Sequence, residues 1–164
     1  GFEHDKVIQH TLARNLKIRI IHNQLFKLTS QTESLKLAFN ALLETDCYII
    51  HGDIIFNTAS LAVRKSSFVV VDNAVKEKRA VGISQRDNTL LHMAYGLPTK
   101  WGQIAYISKK DFSYAKDVLN SFKNNKMTFE YINMLDKIKF GIHSDGVKTL
   151  EINRGYESIS NQQT

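Results

Sequence analysis

Tyr48-Ile49-Ile50-His51-Gly52-Asp53-Ile54-Ile55-Phe56 is the stretch that decides the fold prediction for this 164-residue chain. The run Cys47 to His51 is short, apolar and rich in β-branched residues, which predicts a buried strand. Asp53 follows it, so its carboxylate is expected at the carboxyl end of the sheet, where open α/β folds bind ligands in a crevice. Gly52 removes a side chain where a backbone would have to approach a ligand. The local sequence leaves one alternative open, in which Asp53 only caps a turn.

The residues before this strand predict two helices and one further strand. Residues 5–15 and 33–44 carry apolar side chains at helical spacing, which is typical of amphipathic helices. Thr32 or Ser34 is the expected N-terminal cap of the second helix. Residues 17–21 alternate and are β-branched, which predicts a strand. Apolar strands between amphipathic helices indicate a parallel sheet that is covered on both faces.

The pattern changes after Asp53, towards short strands joined by tight turns. The turn residues Arg86-Asp87-Asn88 favour antiparallel pairing of the strands on either side. Strands are expected over residues 67–72, 79–84, 89–94, 102–107, 138–142 and 148–152, helices over 110–124 and 129–137, and a final helix or polar tail over 156–164. No linker or internal repeat divides the chain. We therefore expect a single α/β domain over residues 1–164 with a mixed sheet.

Composition limits the classes of function. Lys and Arg total 22 against 16 acidic residues, which gives a net charge of +6 and a pI near 9.4. Such a positive net charge is compatible with binding to nucleic acid, to a membrane surface or to phosphorylated small ligands. Binding to nucleic acid is disfavoured, because the sequence contains no basic cluster and no recognition helix. Cys47 is the single cysteine, which excludes an intramolecular disulfide, and the histidines lack zinc-site spacing. No apolar stretch approaches the roughly 20 residues of a membrane span, and we expect a reducing, cytoplasmic setting.

A second polar strand end makes a metal site the stronger expectation. Asn153 follows the apolar run of residues 148–152, as Asp53 follows its own strand. Two such ends over one crevice offer oxygen ligands to Mg²⁺, which takes one or two carboxylates or amides together with waters and substrate phosphates. Phosphoryl and nucleotidyl transfer need this arrangement, because the metal bridges phosphate oxygens and steadies the leaving group.

The order of short motifs resembles the sugar-phosphate nucleotidyltransferase superfamily, most closely the cytidylyltransferases that activate phosphocholine or aminoethylphosphonate. In chain order the motifs are Gly1-Phe2, Ile20-Ile21-His22-Asn23, Thr32-Glu33-Ser34-Leu35, His51-Gly52-Asp53-Ile54-Ile55-Phe56, Lys100-Trp101-Gly102-Gln103-Ile104 and Glu151-Ile152-Asn153. The resemblance covers essentially the whole chain. It implies a Rossmann-like mixed sheet of the glycosyltransferase-A-like type. The implied reaction joins a nucleoside triphosphate, CTP in this subgroup, to a phosphorylated small molecule and releases pyrophosphate, with Mg²⁺ as cofactor and cell-surface glycan precursors as the setting.

The resemblance also implies roles on the nucleotide side of the site. Asp53 and Asn153 match the two metal-binding positions, and the amide at position 153 keeps an oxygen ligand while lowering the negative charge of the site. Thr32 and Ser34 match the loop and helix start that approach the nucleotide, and Gly52 is expected beside it.

On the acceptor side three residues match, each with an ordinary alternative. Lys100 is expected to give a point charge near the acceptor phosphate, the alternative being an exposed lysine. Trp101 is expected as one wall of an acceptor site that can stack on a quaternary ammonium, the alternative being core packing. Glu130 begins a helix that faces the acceptor in relatives.

The chain departs from the resemblance at its N-terminus. Relatives begin with a strand, a glycine-rich loop with a basic residue and a lysine, which together hold the triphosphate. This sequence contains no such pattern, so an N-terminally truncated domain with an unpaired sheet edge and exposed apolar surface is expected. The alternative function is a non-catalytic module that uses this edge to bind a partner or a second copy. The sequence leaves open the nucleotide base, the acceptor and the oligomeric state.

Overall fold

The computed structural model describes residues 3–56, 61, 65–72, 80–122, 126–139, 147–151 and 156–158. The helices are α1 (His4–Ala13), α2 (Gln31–Asn40), α3 (Lys109–Ser121) and α4 (Thr128–Lys139). The strands are β1 (Cys47–Ile50), β2 (Ile54–Phe56), β3 (Phe68–Asp72), β4 (Val81–Arg86), β5 (Thr89–Tyr95), β6 (Thr99–Ile107), β7 (Lys148–Glu151) and β8 (Tyr156–Ser158). No helix within these ranges is long and apolar enough to cross a membrane.

Six of the strands form one mixed sheet in the order β1-β6-β3-β7-β5-β4, and β2 pairs with β8 in a separate ribbon. β6 is antiparallel to both β1 and β3, while β3 is parallel to β7. β1, β3 and β7 therefore point the same way, and their carboxyl ends lie at one edge of the sheet. The predicted α/β fold with a mixed sheet is confirmed. The expectation of parallel pairing in the first third is wrong for β1, which pairs antiparallel with a strand that follows it by about fifty residues in the printed sequence.

The predicted strand over residues 17–21 is wrong, since these residues adopt no regular secondary structure. Their β propensity finds no neighbouring strand among the described residues, and a strand needs a partner for its backbone groups. The segment is instead tied to the end of α2, where Arg19 Nη1 donates to the carbonyl oxygen of Ala41 at 2.9 Å. Ile18 remains 56% exposed as a result.

Three further element predictions are corrected. Residues 138–139 continue α4 instead of starting a strand, because a β-branched residue at the end of a helix is compatible with either state. Residues 156–158 form β8 instead of a helix or tail, because they pair with β2. Thr32 and Ser34 lie inside α2, whose N-cap residue is Ser30.

The predicted hairpin turn after β4 is confirmed. Asp87 and Asn88 have φ angles of 51° and 56°, the left-handed pair that a two-residue turn matching the twist of the strands requires. β4 and β5 pair antiparallel on either side of it.

The hydrophobic core lies mainly between the sheet and the layer formed by α2, α3 and α4. β3 is buried along its whole length, so it contributes Val69 and Val71 to this core and Phe68 and Val70 to a smaller one on the opposite face. Phe39 of α2 stacks on Phe112 of α3 with 5.1 Å between ring centroids, which fixes α2 against the rest of the helical layer.

Replacing Phe112 by alanine should lower the free energy of unfolding by about 3–5 kcal/mol, the usual cost of truncating a buried aromatic side chain. Phe112 is 2% exposed, so a cavity would remain between α2 and α3. Urea unfolding followed by circular dichroism measures the change. Leu43→Ala is the control, because Leu43 is 89% exposed and should alter stability by no more than about 0.5 kcal/mol. Equal effects of the two substitutions would contradict this packing of α2.

Candidate functional site

An open cleft of about 430 Å³ lies where β1 leaves the sheet. Its walls come from the end of β1, the first half of α2 and the start of α4. The lining residues are Gln31, Ser34, Leu35, Ile49, Ile50, His51, Gly52, Asp53 and Thr128. The volume falls within the range of about 300–1,000 Å³ that is usual for small-molecule sites.

Asp53 and Gly52 form the turn at the mouth of this cleft, between β1 and β2. Both residues are exposed. Apart from its chain neighbours, a Cβ atom added to Gly52 would meet no atom of the described residues within 4 Å, so packing against them does not require glycine there. Within the described part of the chain, the space beside the Gly52 Cα atom is therefore available to a ligand.

A network of polar side chains forms the floor of the cleft. The Oε1 atom of Gln31 accepts hydrogen bonds from the backbone N–H and the hydroxyl of Thr128, both at 3.0 Å. The Nε2 atom of His51 lies 3.2 Å from the Thr128 hydroxyl oxygen, and its Nδ1 atom lies 3.0 Å from Oε1 of Gln103. The network joins α2, α4, β6 and the end of β1, elements that are distant in sequence.

The backbone of β6 is irregular directly beneath His51. Gln103 has a φ of 57° inside a strand, a left-handed conformation that costs a non-glycine residue roughly 1–3 kcal/mol. In the pairing of β3 with β6, Val69 lies opposite Ala105 and Val71 lies opposite Trp101. Residues 102–104 of β6 therefore form a bulge opposite the single residue Val70 of β3. The carbonyl oxygen of Gln103 accepts a hydrogen bond from the backbone N–H of His51 at 3.2 Å. The bulge thus brings both the backbone carbonyl oxygen and the side-chain Oε1 of Gln103 within hydrogen-bonding distance of His51.

Of the predicted nucleotide-side residues, Ser34, Gly52 and Asp53 line the cleft and Thr32 does not. Thr32 is buried, and its hydroxyl donates to the carbonyl oxygen of Lys126 at 2.8 Å and accepts from the backbone N–H of Lys126 at 3.0 Å. It fixes the start of α2 against the segment that leads into α4. Ser34 accepts a hydrogen bond from Nδ2 of Asn23 at 3.1 Å.

Lys100 and Trp101 lie in β6 and are not among the residues that line the cleft. Lys100 is 5% exposed, which excludes the alternative of an exposed lysine. Trp101 is 3% exposed, its Nε1 donates to the carbonyl oxygen of Ile104 at 3.1 Å, and its ring meets the His51 ring edge-on at 5.1 Å between centroids. Trp101 therefore supports His51 from behind the cleft.

Glu130 caps the start of α4. Its Oε2 atom accepts a hydrogen bond from the backbone N–H of Met127 at 2.8 Å, and Oε1 lies 3.2 Å from Nζ of Lys126. This is one half of a capping box, in which the third helical residue satisfies the donor at the cap. The backbone hydrogen bond first, and Lys126 second, lower the pKa of the Glu130 carboxyl.

Only one member of the predicted metal pair can be placed. Asn153 lies outside the described residues. In the part of the chain that the structure describes, no three His, Cys, Asp or Glu side chains come together as a metal site.

Sequence reasoning missed the residues that hold the floor together, Gln31, Gln103 and Thr128. Their hydrogen bonds join residues 52 to 97 positions apart, so no local pattern identifies them. The sequence carries only a weak signal for two of them. Gln31 directly precedes the motif that begins at Thr32, and Gln103 lies within the motif that begins at Lys100.

The fold is shared with solved nucleotidyltransferase structures. The inositol-1-phosphate CTP transferase of T. maritima matches with a TM-score of 0.69 at 12% identity, over 96% of this chain and 66% of that chain. The CTP:phosphocholine cytidylyltransferase of Streptococcus pneumoniae matches with a TM-score of 0.65 at 14% identity, over 94% and 68%. The nucleoside-diphosphate-sugar pyrophosphorylase of Vibrio cholerae matches with a TM-score of 0.67 at 11% identity, over 97% and 73%.

These likenesses establish the fold. The chain spans about two thirds of the length of the first two of these structures, 66% and 68%. No protein-family model matches the sequence, and no curated protein matches it.

Glu130→Gln should reduce stability near neutral pH by about 0.3–1 kcal/mol, because glutamine keeps an acceptor for the Met127 N–H but loses the negative charge near the helix N-terminus. Because the folded-state pKa of Glu130 is lowered, its contribution is present above the unfolded-state pKa and is lost as pH falls through the folded value. Urea midpoints should therefore differ between variant and parent near pH 7 and converge as the pH falls below the ordinary glutamate pKa of 4.5. Glu44→Gln, at an exposed position, is the control. A difference that does not change with pH would contradict this role for the carboxylate.

Proposed function

We propose that the chain carries the metal-binding and nucleotide-binding side of a Mg²⁺-dependent nucleotidyltransferase. The reaction would join a nucleoside triphosphate to a phosphorylated small molecule and release pyrophosphate. The observation that carries the proposal is the exposed Asp53 carboxylate at the mouth of a cleft of about 430 Å³, at the carboxyl end of β1, in a chain with a nucleotidyltransferase fold. CTP is the preferred nucleotide, since a CTP transferase and a cytidylyltransferase are among the structural neighbours.

The residues present fit Mg²⁺. This ion is usually held by one or two carboxylates, with waters and substrate phosphates completing its coordination. Asp53 supplies one exposed carboxylate, and the open space beside Gly52 leaves room for phosphates. Asn153 is the proposed second ligand. When bound, Mg²⁺ would neutralise charge on the phosphate oxygens.

The side chains of the cleft would hold the nucleoside. Oε1 of Gln31 is committed to Thr128, so Gln31 can offer its amide N–H groups to a ligand. The hydroxyl of Ser34 lies on the same helix face one turn later. Ile50, which is 39% exposed, gives the apolar surface on which a base or ribose can pack.

In the proposed reaction a phosphate oxygen of the acceptor attacks the α-phosphorus of the triphosphate. One P–O bond forms to the acceptor, and the P–O bond to pyrophosphate breaks. On the acceptor side, Lys100, Trp101 and Glu130 remain predicted contributors. Since Lys100 and Trp101 are buried, we expect Lys100 to act through its charge and Trp101 through its support of His51.

A second candidate function is that of a non-catalytic module which binds a partner or a second copy through the sheet edge. The observation that favours it is the pairing of β1, which among the described strands has β6 as its only neighbour. Six large apolar side chains in the segment 16–28 are also exposed: Leu16, Ile18, Ile20, Ile21, Leu25 and Leu28. A strand edge with no further neighbour among the described strands, and exposed apolar surface, are each a common basis of association.

Calorimetric titration of the chain with CTP in the presence of Mg²⁺ tests the proposed function. Asp53→Asn should weaken binding by about 10- to 100-fold, the usual range for loss of a group that supports a bound metal. Asp117→Asn is the control, because this exposed carboxylate lies on α3 away from the cleft. Gly52→Ala should leave the urea midpoint unchanged, since its Cβ meets open space, and should weaken binding.

Equal affinities of Asp53→Asn and the parent chain would contradict the proposal. Failure of the parent chain to bind, together with a concentration-dependent dimer in sedimentation equilibrium, would favour the second candidate.

A further inference from the structure

The direction of one hydrogen bond at His51 follows from its neighbours. The backbone N–H of Thr128 points at Gln31, so the Gln31 atom that it meets must be the acceptor oxygen Oε1. The hydroxyl of Thr128 meets the same oxygen and must therefore donate its only hydrogen to it. That hydrogen is no longer available for His51. Nε2 of His51, 3.2 Å from the Thr128 hydroxyl oxygen, must then carry the hydrogen of that bond.

The other face of His51 is held by Gln103. Nδ1 lies 3.0 Å from the Gln103 side chain, and the backbone N–H of His51 donates to the Gln103 carbonyl oxygen at 3.2 Å. Gln103 reaches both groups from a left-handed backbone conformation within a strand bulge. A strained residue that persists in a strand is held there by its surroundings, and such residues cluster at functional sites.

From these contacts we propose that His51 is a positioning residue, which couples the Gly52-Asp53 turn to Gln31 on the opposite wall through Thr128. This inference rests on the proposed function. Both ring nitrogens of His51 are engaged within the protein, so the imidazole is not placed to exchange a proton with a ligand. Its part is to set the separation between the carboxylate of Asp53 and the amide of Gln31, and so the affinity for a nucleotide that contacts both.

Nitrogen-15 NMR of the histidine-labelled chain tests the direction of the hydrogen bond without any ligand. The parent chain should show a protonated Nε2 at His51, and Thr128→Val should shift this nitrogen and the backbone amides of Gly52 and Asp53. Thr128→Ser keeps the hydroxyl and should leave these resonances near their parent positions. His92→Gln is the control, because His92 is exposed on β5. An unprotonated Nε2 at His51, or unchanged Gly52 and Asp53 amides in Thr128→Val, would overturn the inference.

A double-mutant cycle then tests coupling to the nucleotide. His51→Gln and Thr128→Val should each weaken the binding of CTP with Mg²⁺ by about threefold to tenfold, the range expected for one net hydrogen bond. The double variant should lose no more than the larger single loss, because both substitutions remove the same link. Thr128→Ser should retain the parent affinity.

The outcomes separate the two hypotheses. Additive losses in the cycle, with binding by the parent chain intact, would overturn the positioning role alone. Absence of binding by the parent chain would overturn the proposed function, and the ligand-free NMR result would still decide whether His51 couples the turn to α4. Thermal melting of each variant shows whether it is folded, and Thr128→Val keeps the test decisive if His51→Gln does not fold.

Discussion

The pairing of β1 with β6 is the interaction on which the cleft depends. The ladder runs from Cys47 opposite Ile107 to Ile50 opposite Ile104, and one more backbone hydrogen bond joins His51 to Gln103. The bulge of β6 lies at this point, and the next residues of the chain leave the sheet as the Gly52-Asp53 turn. A regular β6 would allow the ladder to continue and would hold Asp53 within the sheet.

The cleft combines an exposed rim with a floor whose polar groups are paired. Thr128 is 2% exposed, and its backbone N–H and hydroxyl are both satisfied by Gln31. Buried polar groups are costly when left unpaired, so such a network tolerates few alternative arrangements. The rim residue Asp53 is exposed, which suits a group that meets a ligand. The floor therefore fixes the geometry of the cleft, and the rim is where we propose that a ligand is bound.

Much of the fold was predictable because its signals are local. The period of the apolar residues identified α2, α3 and α4, and the turn at Asp87 and Asn88 identified a hairpin. The predicted strand over residues 17–21 failed because strand formation depends on a neighbour as well as on propensity. The direction of β1 was also mistaken, since its partner β6 lies far along the chain and pairing direction leaves no mark in a four-residue run.

Sequence reasoning identified residues at the rim of the cleft and missed those at its floor, and the functional role of the rim residues stays a prediction. Asp53 and Gly52 follow an apolar strand, a position that local sequence reveals, and both line the cleft. Gln31 and Thr128 meet only through the fold, 97 residues apart, and their pairing cannot be read from either neighbourhood. Lys100 and Trp101 fall within a recognisable motif, but the bulged strand that carries them buries both side chains.

Paramagnetic broadening by Mn²⁺, used in place of Mg²⁺ with CTP, tests most directly whether the Asp53 cleft holds a metal–nucleotide complex. If the cleft holds this complex, the backbone amides of Ser34, Gly52 and Asp53 should broaden first, while those of the hairpin formed by β4 and β5 stay sharp. Broadening centred on the smaller pocket of about 270 Å³ beside Lys65 and Lys148, or no broadening at all, would contradict it.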